Sequence, residues 1–253
     1  MLKVILNVAA SIDGKISTII GDTKISSNKD LLRVHQLRSK VDAIIIGINT
    51  VINDDPMLTE RLTQIRKNLK LREADITDLK KDNTAKIKSK NSKNPIRVII
   101  DSRARIPLKS KIVKTADQVE TIIAVTNDAP KSKLKELSKQ GLKITVIDKD
   151  SKTKEKVNLK KLLKVLENES ISTILVEGGG EINWSFIENN IFDELIITIA
   201  PIIIGGRDAT TLVDGKGYEV IKKCPKLVLM KMQKKNTGEI TLYYKNPNMG
   251  KKK

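Results

Sequence analysis

Residues 174–188 read ILVEGGGEINWSFIE, and the reading of this stretch decides the fold. Ile174, Leu175 and Val176 form an apolar run of strand type that ends in Glu177 and the glycines Gly178, Gly179 and Gly180. A helical pattern follows from Ile182, with Trp184, Phe186 and Ile187 as candidate core contacts. Glycines at a strand-to-helix corner let the backbone approach a ligand closely. The free N–H groups of the helix start then favour an anion such as a dinucleotide pyrophosphate. The alternative is a plain left-handed turn at a tight crossover. The spacing is not G-x-G-x-x-G, so a Rossmann fold gains little support.

Outward from this corner, strands and helices alternate. Apolar runs predict strands over 3–9, 43–47, 97–101, 121–125, 143–147, 173–176 and 194–200, and periodicity predicts helices over 28–39, 131–140, 159–168 and 182–188. Two further strands, 226–233 and 239–244, flank KKNTG as an antiparallel hairpin. Alternation of this kind implies a mixed, mostly parallel sheet with helices on both faces, and the hairpin adds antiparallel edge strands. Neither an internal repeat nor a linker interrupts the pattern, so 1–253 reads as one α/β domain.

Composition narrows the function classes. The chain has 253 residues, 2% aromatic content and a net charge of +18, so its core must be mainly Ile, Leu and Val. Residues 62–93 carry ten Lys and Arg against four acids, and the chain ends in three lysines. We read 62–93 as a basic surface insertion, partly helical and partly disordered, with a short basic tail at the C-terminus. A nucleic-acid patch is the sharper alternative, but it lacks interleaved aromatic residues for base stacking. No apolar run reaches the roughly 20 residues that span a bilayer. The N-terminus lacks signal-peptide features, and a cytoplasmic protein is expected. With one histidine, His35, and one cysteine, Cys224, the chain holds no internal disulfide and no Cys/His zinc cluster, so no metal is expected. His35 reads as a solvated or packed helix residue, and Cys224 as a buried small one.

Other segments carry chemistry. In NVAASIDGK (7–15) a strand enters an Asp-Gly turn with Lys15 directly behind it, which by itself is an ordinary turn. In GINTVINDDPMLT (47–59), Gly47 ends a strand, Thr50 is placed for a first-turn contact to phosphate, and Asp54 and Asp55 precede Pro56. Paired carboxylates suit acid–base or metal chemistry, although capping and turn roles are commoner. In VIIDSRARIP, Ser102, Arg103 and Arg105 follow a buried strand, at the edge where α/β sheets bind ligands, and would suit an NADP 2′-phosphate.

Together these segments carry a resemblance. NVAASIDGK, LRVHQLRSKVDAIIIGINTVINDDPMLT, NPIRVIIDSRARIP, LVEGGGEINWSFIE and DELIITIAPIIIGG occur in the order seen in the pyrimidine reductases of riboflavin biosynthesis, and they span nearly the whole chain apart from 62–93 and the tail. The likeness is greatest to the stand-alone archaeal and fungal type, which acts on a diamino-ribosylaminopyrimidinone 5′-phosphate. Bacteria fuse a similar domain to a zinc deaminase, whose Cys and His motifs this chain lacks. The resemblance implies a dihydrofolate-reductase-like fold and a homodimer. It also implies transfer of a hydride from NADPH, with NADH as the alternative donor, to C1′ of a ring-opened ribosylamine.

Carried over by motif, Ala9, Thr50, Asp54 and Ser102 would contact the cofactor. Gly178, Gly179, Gly180, Glu181 and Ile182, within the run to Ser185, would wrap its phosphates. Thr23, Arg38, Leu58, Arg61 and Glu177 match substrate-contacting positions, with Arg38 and Arg61 assigned to the 5′-phosphate and Glu177 to amino groups of the pyrimidine. For the proton donor in ring opening, Lys15 is the first candidate and Asp13 the second. Ile25 departs from the bacterial fused enzymes, which often carry an aromatic residue there. Two other readings stay open: a different NADPH reductase on the same fold, such as one acting on dihydrofolate, and a nucleic-acid-binding protein suggested by charge alone.

Overall fold

Strands whose every side chain is apolar have no face to offer water and must be covered on both sides. The computed structural model, which describes residues 2–59 and 94–249, shows how. Its elements in chain order are β1 (Lys3–Ala10), α1 (Asn28–Arg38), β2 (Ala43–Gly47), α2 (Ile48–Asp54), β3 (Ile96–Ile100) and α3 (Lys111–Lys114). Next come β4 (Thr121–Val125), α4 (Lys131–Lys139), β5 (Lys143–Val146), α5 (Leu159–Asn168), β6 (Thr173–Val176) and α6 (Gly180–Glu188). The chain then runs through β7 (Glu194–Ile199), a 3₁₀ turn (Ile221–Lys223), β8 (Val228–Lys234) and β9 (Ile240–Lys245). Arg61, the expected insertion over 62–93 and the terminal lysines lie outside the described residues.

The sheet order is β5-β4-β3-β2-β6-β1-β7-β9-β8. The strands from β5 to β7 pair in parallel, and β9 pairs antiparallel with both β7 and β8. From β1 to β5 the chain moves one way across the sheet, and from β5 through β6 to β7 it moves back. Parallel crossovers are right-handed, so a reversal of direction must change the face on which the helices lie. The core divides accordingly. Ile5, Ile44, Ile46, Ile99 and Ile123 meet Val51 of α2, Ile112 of α3 and Leu137 of α4 on one face. Leu6, Ile45, Val98 and Ile122 meet Leu162 and Leu166 of α5 and Phe186 of α6 on the other. This is the expected mixed α/β sheet with helices on both faces and a C-terminal antiparallel hairpin.

Two helices escaped the sequence reading. With seven and four residues, α2 and α3 are too short to display a period. Cys224 also departs from expectation, being half-buried at the end of the 3₁₀ turn rather than buried. His35 is packed, at 1% exposure. Among the described residues no helix is long and apolar enough to cross a membrane.

An ionic cluster ties the N-terminus of α1 to the antiparallel end of the sheet. Asp30 Oδ1 accepts hydrogen bonds from Arg33 Nε, Thr198 Oγ1 and Lys235 Nζ, each at 2.8 Å. Arg33 also donates to Asn7 Oδ1 on β1 at 3.0 Å. Burial alone would raise the Asp30 carboxyl, but Arg33 and then Lys235 override it and hold it well below its ordinary 3.8. A depressed carboxylate contributes stability that is present above about pH 4 and lost as the pH falls below it. Asp30→Asn takes the carboxylate from buried Arg33 and leaves Lys235 with Glu239 at 3.5 Å, and is expected to cost about 3–5 kcal/mol at pH 7. Urea titrations should show that penalty shrinking well below pH 3.8, where the native carboxylate itself gains a proton. A penalty independent of pH would contradict this account.

Candidate active site

The C-terminal ends of β2, β3 and β6 open onto a cavity of about 960 Å³, near the upper end of the range for small-molecule sites. It sits at the boundary between β2 and β6, from which the chain leaves in opposite directions across the sheet, the usual crevice in open α/β folds. Two helices begin at its wall, α2 after Gly47 and α6 after Gly179, and neither start has a side-chain cap. No capping side chain therefore occupies these first turns, and, although the Ile182 N–H donates to Gly179 O at 3.0 Å, such a start suits an anion. Helix α6 starts two residues earlier than the sequence pattern predicts, which brings Gly180 and Glu181 into its first turn.

The glycines serve separate ends. A Cβ on Gly47 would stand 2.7 Å from Cγ1 of Ile182, and one on Gly178 would stand 2.5 Å from its Cγ2. A Cβ on Gly180 would strike the Asp214 side chain at 2.2 Å and the Thr211 carbonyl at 2.5 Å. Close packing thus requires all three. Gly179 differs: its nearest neighbour would be Thr50 Oγ1 at 3.9 Å, so the space beside it is open cavity. None of the four has a left-handed backbone, which removes the plain-turn alternative.

The remaining walls come from distant segments. Ser102, Arg103 and Arg105 line the cavity beyond β3, with Arg105 donating to Asn49 Oδ1 at 3.0 Å. Ser102 Oγ accepts from the Val157 N–H at 3.2 Å, which tethers the loop between β5 and α5 to the same wall. Residues 210–216 close another side. Asn183 Nδ2 donates to Leu212 O at 2.8 Å, and Gly215, with φ of 85°, lies so near Trp184 that a Cβ would fall 2.1 Å from the ring. Neither loop carries a sequence signal that would assign it to the site.

The sequence-predicted residues fall into groups. Thr23, Thr50, Asp54, Ser102, Gly179, Gly180, Glu181 and Ile182 line the cavity. Partial desolvation pushes the Asp54 carboxyl up. Gly178 is buried behind the corner, and Ala9 stands where β1 runs on beyond Leu6, its last partner on β6. Arg38 and Glu177 hold one another: Arg38 Nε donates to Oε1 at 2.9 Å and Nη2 to Oε2 at 2.5 Å. Burial alone would lower the Arg38 guanidinium, and the Glu177 carboxylate more than reverses that. Leu58 is 2% exposed in the core with φ of 50°, so only its backbone could face a ligand.

Lys15 and Asp13 occupy the loop after β1, which runs beside residues 209–212 through a bridge between Lys15 and Thr211. Lys15 Nζ donates to Ala209 O at 2.9 Å. Asp13 accepts from Ser11 Oγ at 2.6 Å and from the N–H groups of Ile204 and Gly205 at 3.1 and 2.7 Å. The Ser11 hydroxyl first, and then these N–H groups, lower its carboxyl to about 2.

A nicotinamide dinucleotide fits these residues on the geometry of the corner. The volume is adequate, two uncapped helix starts converge, and the one glycine that packing does not require leaves open the space a diphosphate needs.

Comparison with known proteins gives a consistent picture. The pattern of the RibD C-terminal domain matches residues 2–241. The chain is 36% identical over 226 residues to the 2,5-diamino-6-ribosylamino-4(3H)-pyrimidinone 5′-phosphate reductase of Methanothermobacter thermautotrophicus, covering 89% of this chain and 90% of that protein. It is 37% identical over 222 residues to the protein of the same name from Archaeoglobus fulgidus, covering 87% and 89%. Among solved structures, RibD of Acinetobacter baumannii matches with a TM-score of 0.71 at 24% identity, over 97% of this chain and 58% of that longer one. That likeness supports the dihydrofolate-reductase-like fold.

The division of labour among the glycines is testable. Gly178→Ala should cost about 1–3 kcal/mol of stability, because the added methyl would meet Cγ2 and Cβ of Ile182 at 2.5 and 2.6 Å. Gly179→Ala should leave the denaturation midpoint unchanged but weaken dinucleotide binding roughly tenfold, as expected for loss of a charge-assisted hydrogen bond. Equal effects of the two changes on both measurements would refute the distinction.

Proposed function

The chain belongs to the RibD C-terminal domain family, and from that membership we propose that it is the NADPH-dependent reductase of 2,5-diamino-6-ribosylamino-4(3H)-pyrimidinone 5′-phosphate in riboflavin biosynthesis. NADH is the alternative donor. The observation that carries this reading is one corner of chain. Glu177, a carboxylate oriented by Arg38, directly precedes the glycines at which two uncapped helix starts meet. A pyrimidine held at Glu177 therefore lies within a few residues of a dinucleotide held at Gly179.

The bound nicotinamide supplies a hydride to C1′ of the substrate. The protein's share is alignment and proton management, and alignment alone can contribute about 7–11 kcal/mol towards lowering a barrier. Arg38 uses one face of Glu177, and the remaining lone pairs of the carboxylate are free to accept from exocyclic amino groups. Because its fork is engaged, Arg38 acts towards the 5′-phosphate as a fixed positive charge with Nη1 as its outward donor. Nη1 makes only a long contact of 3.4 Å to Thr59 O. Arg61 is the second phosphate group in this reading.

Ring opening needs a proton on the ribose ring oxygen as its bond to C1′ breaks and the amine nitrogen forms a C=N bond, which leaves a protonated imine that a hydride turns into the neutral amine. Lys15 suits that proton transfer, since its ammonium is steadied by one carbonyl and keeps further N–H donors for substrate. Asp13 does not. A carboxyl lowered to about 2 holds no proton at neutral pH, and we assign it to bracing the loop at Ile204 and Gly205. A single nine-stranded sheet supports one reductase domain. The exposed apolar edge of β8, with Val228, Leu229, Met230 and Met232, suits the expected homodimer.

NADPH oxidation by the purified protein should be rapid with the diamino compound and slow with its deaminated counterpart or dihydrofolate. Preference for the deaminated compound would reverse the order of reduction and deamination. Activity on dihydrofolate alone would sink the assignment. Lys15→Met is expected to lower kcat at least a hundredfold, a typical general acid effect, with little change in the NADPH dissociation constant. Equal loss of both would remove Lys15 from proton transfer.

A further inference from the structure

The loop at 148–157 offers a function that the reductase reading does not by itself contain. Asp150 Oδ1 shapes it by accepting from the N–H groups of Lys152 and Thr153 at 2.9 and 3.0 Å. Ion pairs fasten it to both walls of the cavity. Glu155 meets Arg103 at 3.9 Å on the β3 side, while Lys152 meets Glu188 at 3.6 Å and Lys156 meets Glu181 at 2.7 Å on α6. The lysine and glutamate side chains of the last pair are each 52% exposed, so that contact adds little to stability. Its placement is what matters.

Glu181 stands in the first turn of α6 and lines the cavity. An acid there ordinarily stabilises a helix by complementing its dipole. At a helix start that receives a diphosphate, the same acid is a like charge beside the ligand and opposes it. Lys156 approaches from the opposite strap and also lines the cavity, so it cancels that charge at the point where it does harm. We propose that Lys156 is a positioning residue for the dinucleotide: it neutralises Glu181 so that the α6 start can accept the diphosphate, and thereby makes the 148–157 loop a strap over the cofactor. This rests on the dinucleotide reading of the glycine corner.

The test is the dissociation constant for NADPH, read from nicotinamide fluorescence on the full chain without substrate. Lys156→Met should weaken binding roughly tenfold, the scale of a solvent-screened unit charge a few ångströms from a phosphate. Lys156→Arg should retain tight binding, and Glu181→Gln should tighten it roughly threefold by removing the repulsion. The decisive variant is Lys156→Met with Glu181→Gln, which should return to within about threefold of the unaltered protein. A double variant as weak as Lys156→Met alone would mean that the lysine acts by touching the phosphate, which overturns the inference. So would a Lys156→Met variant that binds as the unaltered chain does. Failure of the unaltered chain to bind NADPH or NADH would overturn the dinucleotide reading itself, and the inference with it.

Discussion

The site depends on how closely the first turn of α6 can approach the end of β2. Ile182 settles that distance. Its Cγ1 fills the space over Gly47 and its Cγ2 the space over Gly178, so one side chain wedges two strand ends and two helix starts into a single unit. Any side chain at either glycine would push α6 outward and separate the N–H groups that face the cavity. The constraint is steric rather than conformational, since neither glycine needs a positive φ. Interiors packed at near-crystalline density do not absorb such intrusions, so the geometry of the cavity is inherited from the core.

Reversal of direction across the sheet supplies the rest. Helix α1 lies on one face and α6 on the other, and the contact of Arg38 with Glu177 joins the two layers across the rim. Each of these charges would be costly if left alone in that half-buried place. Mutual pairing fixes the carboxylate in one orientation before any ligand arrives, and a preorganised acceptor needs no rearrangement when charge develops near it. A cavity with two helix starts that favour anions thus adjoins, two residues before Gly179, a carboxylate suited to amino groups.

Much of this was legible in the chain itself, for identifiable reasons. Runs such as Ile44 to Ile46 and Ile122 to Ala124 are strand-like at any scale of inspection, and the sheet follows from their alternation with amphipathic segments such as that of α5. The glycine corner was legible as a binding feature, but its helix was placed two residues late because Gly180 reads as a breaker and here packs inside the first turn. The loops at 148–157 and 210–216 carried no motif. They reach the cavity through long-range contacts such as Val157 to Ser102 and Leu212 to Asn183, which no local pattern encodes. Asp13 was legible as the second candidate for the proton donor but not as a brace, because its donors come from Ile204 and Gly205 far along the chain.

The position of β1 bears on how the protein is made. This strand is synthesised before every other strand of the sheet, yet it lies deep within it, and its partners are β6 and β7, with Lys3 opposite Thr173 and Ile5 opposite Glu194. Among the described residues, no strand nearer in sequence pairs with it. At ordinary translation speeds of about 5–20 residues per second, the strand must wait roughly 10–30 s for those neighbours to emerge. During that interval Val4, Ile5 and Leu6, all at most 1% exposed in the finished fold, lack both strands that flank them. The nascent chain therefore carries an unpaired aliphatic strand until its later half arrives.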